Sequence, residues 1–383
     1  MYDYAGVRFA LQTQQASLIE ALGDLVTHES PSLDKPLLDL LARRLAQRFE
    51  AQGAEVHVLS QAEHGNHVSA LYAPRGIDAS APPALLLCHF DTVWDAGTLA
   101  KRPFSIREGR AYGPGTFDMK GGIVIAEGAL RAIKELRLPL RRAVKILLNS
   151  DEEIGSRSSR AWIEAEARKA AYVLVLEPAL PDGSLKTARK GVGAFHLEIE
   201  GRAAHAGLEP EKGVSAIEEL AHQIVHLHGL NDFQRGTTVN VGVVRGGARS
   251  NIVAAHAEAE IDVRAWTEDE AVRMEALLLG LRPFDPAVRL SVRGGFEYPP
   301  MERTSATAGL AARAKEIGRT LGLELHEGAA GGGSDGNYTA ALGVPTLDGL
   351  GPVGDGAHAE HEHVVIESLA ERAALLAALL CEL

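Results

Sequence analysis

Cysteine is nearly absent. With only Cys88 and Cys381 in 383 residues, a disulfide framework is not expected, which fits a reducing compartment. Long apolar runs are missing as well, and nothing approaches the ~20 consecutive apolar residues of a membrane-spanning helix. The opening Met-Tyr-Asp-Tyr-Ala-Gly-Val-Arg has no basic segment followed by an apolar one, so no secretory signal is expected and a cytoplasmic protein is. Basic charge is in short supply. A formal net charge of -12 argues against a general nucleic-acid binder. What remains is 46% hydrophobic and 23% charged residues, the composition of a globular protein without membrane or nucleic-acid partners. At this length a single core becomes too large, so two domains are expected.

Helical spacing runs through residues 7–28 and 35–52, where Leu38, Leu41, Leu45 and Phe49 recur. Residues 55–59 and 67–72 read as strands, as do the apolar runs 84–88 and 144–148. Residues 122–136 read as a helix, and 173–176 as a buried strand ending at Glu177. Alternating β and α predicts a sheet with helices on its faces. The character changes near residue 188. Phe195, Leu197 and Ile199 alternate with His196, Glu198 and Glu200, and Val214, Ile217, Leu220, Ile224 and Leu227 follow at helical spacing. Strands over 238–244 and 256–264 come next. Thr267 and Glu270 then form a capping box for a helix to about Leu281, and 288–292 closes the segment. The order β-α-β-β-α-β predicts a split βαβ sandwich over 190–297. It is inserted into a first domain made of 1–189 and 298–383.

Three clusters adjoin the apolar runs: His89-Phe-Asp91, Asp118 in a glycine-rich turn, and Asp151-Glu152-Glu153. Each has an ordinary reading by itself. Asp118 would cap a helix, the two glutamates would be solvated charges, and His358, His361 and His363 would lie at the surface. Their combination argues otherwise, because open α/β sheets place ligands at the carboxyl ends of their strands. In an extended segment His89 and Asp91 share a side, which makes Asp91 a natural orienter of a metal-binding imidazole. Glu177 ends an apolar strand just before Pro178, an odd place for a charge unless it is paired or liganded. Together these residues predict a two-metal hydrolase.

The motifs His89-Phe-Asp91-Thr-Val-Trp94, 113–122, Ser150-Asp-Glu-Glu-Ile-Gly155, Glu177-Pro178, Gly201-Arg-Ala-Ala-His205-Ala-Gly207, Ser250-Asn251-Ile252, Asp262-Val-Arg264, Gly331-Gly-Gly-Ser-Asp335 and His358 resemble those of the M20 metallopeptidase family. The likeness is to the glutamate carboxypeptidase branch and spans essentially the whole chain. It implies an α/β, mixed-sheet zinc-peptidase catalytic domain of the phosphorylase/hydrolase-like type, with an inserted ferredoxin-like α+β dimerisation and lid domain. It implies two zinc ions per subunit, for which cobalt or manganese would substitute. His89 and Glu177 would hold one and Glu153 and His358 the other, with Asp118 bridging. Glu152 would be the general base, taking a proton from a metal-bridging water and passing it to the departing amine. The family also has a cis peptide at the position of Asp118–Met119.

In the same resemblance His205 would stabilise the oxyanion in the active site of a partner subunit, which requires a homodimer through the inserted domains. Asn251 and Arg264 would contact the substrate carbonyl and carboxylate, although Arg264 equally fits a plain strand-end charge. The 331–335 turn, with Gly332 in it, offers backbone N–H groups suited to a carboxylate. One position departs from the pattern: glutamate-selective relatives carry an arginine where this chain has Gly295. Arg189 and Lys190 supply cations near the domain junction. The expected activity is zinc-dependent cleavage of the amide bond of a C-terminal amino acid from a small peptide or N-acyl amino acid. The alternative is a deacylase of acetyl- or succinyl-amino acids. A non-hydrolytic binding protein of the same fold is disfavoured by the presence of Glu152 beside every proposed ligand.

Overall fold

Every residue of the strand Ala84–His89 is buried, and its side chains serve two cores. Leu86 and Cys88 enter the larger core, while Leu85 and Leu87 enter a smaller one with Ile163 and Val173. A strand apolar on both faces belongs inside a sheet that is covered on both sides. In the computed structural model, which describes residues 4–74, 76–78 and 80–383, that is its place. The six-stranded sheet runs Glu55–Leu59, His67–Tyr72, Val144–Asn149, Ala84–His89, Tyr172–Val175, Thr346–Leu347. The first three strands pair antiparallel and the last four parallel, so the sheet is mixed.

The helices Lys35–Gln52, Gly121–Glu135 and Ile366–Glu382 feed the larger core, and Arg160–Ala167 covers the smaller one. The predicted helix over 7–28 is two helices, Tyr4–Thr13 and Gln15–Val26. The break at Gln14 leaves Val7, Leu11, Leu18, Leu22 and Leu25 all buried, so the apolar periodicity does not register it. Gly122 is needed for close approach, since a Cβ there would lie 2.1 Å from the Leu176 carbonyl oxygen. Because Val144–Asn149, Ala84–His89 and Tyr172–Val175 run parallel, their carboxyl ends share one edge. His89, Glu152, Glu153 and Glu177 all depart from it.

The chain forms two compact units, one from the described residues up to Thr187 with Arg303–Ala330 and Ser334–Leu383, the other from Ala188–Glu302 with Gly331–Gly333. The second unit has a four-stranded sheet ordered Thr238–Gly246, His256–Ala265, Gly191–Glu200, Arg289–Tyr298, antiparallel throughout. Each of its helices, Ala216–His228 and Glu268–Leu279, joins two strands that have a third between them. That is the split βαβ arrangement. Its own core gathers Leu197, Ile199, Leu220, Ile261, Met274 and Leu278. Both cysteines are free and buried, and among the described residues no helix is long and apolar enough to cross a membrane.

One local expectation needs correction. Thr267 does cap the second helix, accepting the Glu270 N–H at 3.3 Å. Glu270 does not return the bond, so no capping box forms. Its carboxylate instead accepts Thr237 Oγ1 at 2.6 Å and Arg273 Nε at 2.8 Å. The Arg273 bond, opposed by partial burial, holds the Glu270 carboxyl down from 4.5 to about 2. A carboxyl depressed by folding stabilises the fold above its unfolded value and loses that contribution as pH falls toward the folded one. Glu270→Gln should therefore cost about 1–2 kcal/mol near neutral pH. The Tm gap to the unmodified chain should narrow as pH falls from 4.5 toward 2. A gap in Tm that does not vary with pH contradicts this.

Candidate metal centre

The sheet edge delivers its side chains to one spot in the first unit. His89 ends its strand with Nε2 3.1 Å from Asp118 Oδ1 and 3.2 Å from Glu177 Oε1. The other Asp118 oxygen, Oδ2, lies 3.5 Å from His358 Nε2, which is 3.0 Å from Glu153 Oε2. Each oxygen of one carboxylate thus faces a different imidazole, and each imidazole faces a further glutamate. Donor atoms of His89, Asp118 and Glu153 all fall within 4.8 Å of one another. Asp118 sits in the irregular turn Thr116–Lys120, and its peptide bond to Met119 is cis. His358 holds a left-handed backbone, φ 60, a conformation that is uncommon outside glycine.

Asp91 is fully buried and does two jobs. Its Oδ1 lies 3.3 Å from His89 Nδ1, leaving Nε2 to point at Asp118 and Glu177. The same carboxylate accepts the backbone N–H groups of Glu152 and Glu153, each at 3.1 Å, and the Ser32 hydroxyl at 2.7 Å. Glu152 is placed by this anchor with Oε2 4.0 Å from His89 Nε2, beyond hydrogen-bond reach.

The charges show the strain of crowding. His358 is pushed up to about 10 by Asp118 and then Glu153. Burial opposes a charge on His89, yet Asp118, Asp91 and Glu177 raise its proton affinity well above the ordinary imidazole value. Asp118, despite burial, is held far below the usual carboxylate range by His358 and His89. Burial lifts Glu153 to about 7, with His358 pulling the other way. It lifts Glu152 well above an ordinary glutamate, and Glu177 and Asp335 add to the rise. Glu153 Oε1 is buried with no hydrogen-bond partner among the described residues. An orphaned carboxylate oxygen among imidazole and carboxylate donors fits a cation such as zinc, which takes nitrogen and oxygen ligands.

The family model for Peptidase family M20/M25/M40 matches residues 85–382. The chain belongs to this family. It is 34% identical over 307 residues to carboxypeptidase G2 of Pseudomonas sp. (strain RS-16), covering 78% of this chain and 73% of that protein. It is also 34% identical over 202 residues to acetylornithine deacetylase of Proteus mirabilis (strain HI4320), covering 48% and 50%. Among solved structures, aminopeptidase PepT from Bacillus cereus superposes with a TM-score of 0.77 at 24% identity, over 96% of this chain and 98% of that one. The Bacillus subtilis YXEP protein, a dinuclear metal binding peptidase from the M20 family, does so with a TM-score of 0.71 at 16% identity, over 97% and 98%. This M20 chain is a hydrolytic enzyme of the metallopeptidase and amidohydrolase type.

The remaining predicted site residues of the M20 chain lie in the second unit. His205 is exposed, with Nδ1 accepting the Gly207 N–H at 3.1 Å, and the Asn251 carbonyl accepts Ala206 N–H at 3.0 Å, so the two share one loop pair. Arg264 pairs with Asp262, Nε to Oδ1 at 2.8 Å and Nη2 to Oδ2 at 2.7 Å. Arg189 is buried, and its Nη1 donates to the Gly332 and Gly333 carbonyls at 3.2 and 3.0 Å. The triple-glycine turn therefore turns these carbonyls toward a cation of its own unit. Lys190 Nζ stands 5.2 Å from the Trp266 ring. A Cβ at Gly295 would come within 3.2 Å of Glu275 Oε2, so an arginine placed there would start beside a carboxylate.

Sequence reasoning missed three anchors. Asp151 accepts Ser158 N at 2.7 Å and Ser159 Oγ at 2.6 Å, Asp335 accepts the Ser156 hydroxyl, and Glu362 binds the Asp118 turn. For Asp91 the expectation is specific. Asp91→Asn keeps the shape but turns an NH2 toward donors it cannot accept from, and zinc affinity should fall 10- to 100-fold. A chelator competition that returns unchanged affinity contradicts the anchoring role.

Proposed function

We propose that this M20 chain is a zinc-dependent hydrolase that releases a C-terminal amino acid by cleaving the amide bond on its amine side. The observation that carries this is Asp118, whose two carboxylate oxygens address two separate imidazole–glutamate pairs. Zinc ions held by His89, Glu177 and Asp118, and by Asp118, Glu153 and His358, would supply Lewis acidity toward the scissile carbonyl and the attacking water. The rest falls to the protein. Asp91 fixes the His89 ring so that Nε2 is the donor atom. Glu152 Oε takes the proton from the attacking water and delivers it to the departing amine nitrogen, and its raised proton affinity suits a base that must later act as an acid. His205 is the oxyanion donor, and Asn251 binds the substrate carbonyl. Arg264, oriented by Asp262, binds the free carboxylate. Arg189 shapes the turn around Gly332 that meets the same end of the substrate.

A homodimer through the second unit belongs to this reading. Among the described residues its edge strand Thr238–Gly246 pairs only on one side, and Val243, Val244 and Ile217 are 38%, 53% and 46% exposed. An open, apolar strand edge invites a second copy. The two buried free thiols suit a cytoplasmic setting. The second reading is an N-acyl-amino-acid deacylase, favoured by the likeness to acetylornithine deacetylase over about half of the chain. Gly295, standing where the resemblance puts an arginine in glutamate-selective relatives, weighs against glutamate as the released residue.

Glu152→Gln should cut turnover by roughly 10²- to 10⁴-fold while zinc content stays at the wild-type level. Retained turnover, or lost zinc, contradicts the base assignment. Amino-acid release from a panel of dipeptides and N-acyl amino acids separates the two readings, since exclusive removal of acetyl or succinyl groups rules out the carboxypeptidase. Val244→Asp should convert dimers to monomers in sedimentation velocity, and an unchanged species contradicts the interface.

A further inference from the structure

One buried carboxylate has no task in this scheme. Glu362 is 1% exposed and follows His358 by four residues, just before the short strand His363–Val365. A buried carboxylate is costly unless its oxygens are satisfied. Glu362 satisfies them almost entirely on the turn that carries Asp118. Oε1 accepts the Phe117 and Asp118 N–H groups at 3.0 and 3.2 Å, and Oε2 accepts the Gly115 N–H and Trp94 Nε1 at 2.9 Å each. Its backbone carbonyl takes the Gly113 N–H at 3.4 Å. The turn has non-helical backbone at Asp118 and Met119, so regular helix acceptors are not available to these amides. Trp94 is itself held under the Arg102 guanidinium at 4.2 Å, and Arg102 Nη2 donates to the Ala359 carbonyl at 3.3 Å. Three segments distant in sequence, around 94, 113–118 and 358–362, are thereby tied at one carboxylate.

We propose that Glu362 is a positioning residue that presets the distance between the Asp118 carboxylate and His358, so that this half of the centre awaits a divalent cation already assembled. The claim rests on the metal reading above. Glu362 touches no substrate. It acts by holding the Asp118 turn to the His358 loop, as outer carboxylates commonly do for metal ligands.

Glu362→Gln preserves the shape but points an NH2 at two N–H donors. In the metal-free protein, deuterium exchange at the Gly115, Phe117 and Asp118 amides should speed up about tenfold or more, with the strand Ala84–His89 unchanged. Zinc affinity by chelator competition should drop 10- to 100-fold, and the cobalt-loaded visible spectrum should change shape. Glu360→Gln, an exposed neighbour on the same loop, should match wild type in each. If Glu362→Gln does not fold, Trp94→Phe removes a single donor and should weaken zinc roughly three- to tenfold. Wild-type zinc affinity in the variant that folds overturns the proposal, as does a lower Tm with affinity intact. Should the wild-type chain take up no zinc at all, the metal reading fails separately. The amide-exchange comparison then decides whether Glu362 positions the turn.

Discussion

Gathering Asp118, Glu152, Glu153 and Glu177 where water barely screens them is the constraint on which the first unit depends. Like charges within a few ångströms raise one another's proton affinity, and burial adds to it. The structure meets this with His89 and His358, which set Asp118 low while Glu152 and Glu153 stay high. A divalent cation is the natural complement of such a cluster, and the partnerless Glu153 Oε1 marks where one would be felt. The acids of this region thus split into two groups by what they face. Asp118, Glu153 and Glu177 face the imidazole Nε2 atoms, whereas Asp151 and Glu362 spend their oxygens on N–H and hydroxyl groups, and Asp91 does the same while also facing His89 Nδ1. A crowded anionic site needs both, because repulsion would otherwise open the loops.

Much of this was legible along the chain. The apolar runs at 84–88, 144–148 and 173–176 imply buried strands, and the His and acidic residues just after them imply one shared edge. The alternation at 195–200 and the two helical repeats give the second unit its order. Other features escaped because their causes are not periodic. The break at Gln14 lies between helices whose apolar faces stay in phase. Glu270 fits a capping-box spacing, but Arg273 one turn later and Thr237 from another strand compete for its carboxylate. Glu362 binds backbone amides more than 240 positions away in sequence, and backbone donors leave no mark in composition. Arg264 is the exception that could have been read, because Asp262 two residues earlier on a strand lies on the same face.

The cations that the proposed reading assigns to the substrate lie in the second unit and are already engaged there. Arg264 is oriented by Asp262, and Arg189 is occupied by glycine carbonyls. Neither is a loose charge waiting for any anion. Gly295 offers no side chain, and a Cβ there would lie 3.2 Å from Glu275 Oε2. The chain shares the M20 family with carboxypeptidase G2, to which it is 34% identical.

The most direct measurement is zinc-edge anomalous diffraction from crystals soaked in zinc. The account predicts two peaks per chain about 3.5–4 Å apart, with one Asp118 oxygen directed at each. His89 and Glu177 should flank one peak, and Glu153 and His358 the other. A single peak, or peaks that leave Asp118 outside ligand distance, would contradict it.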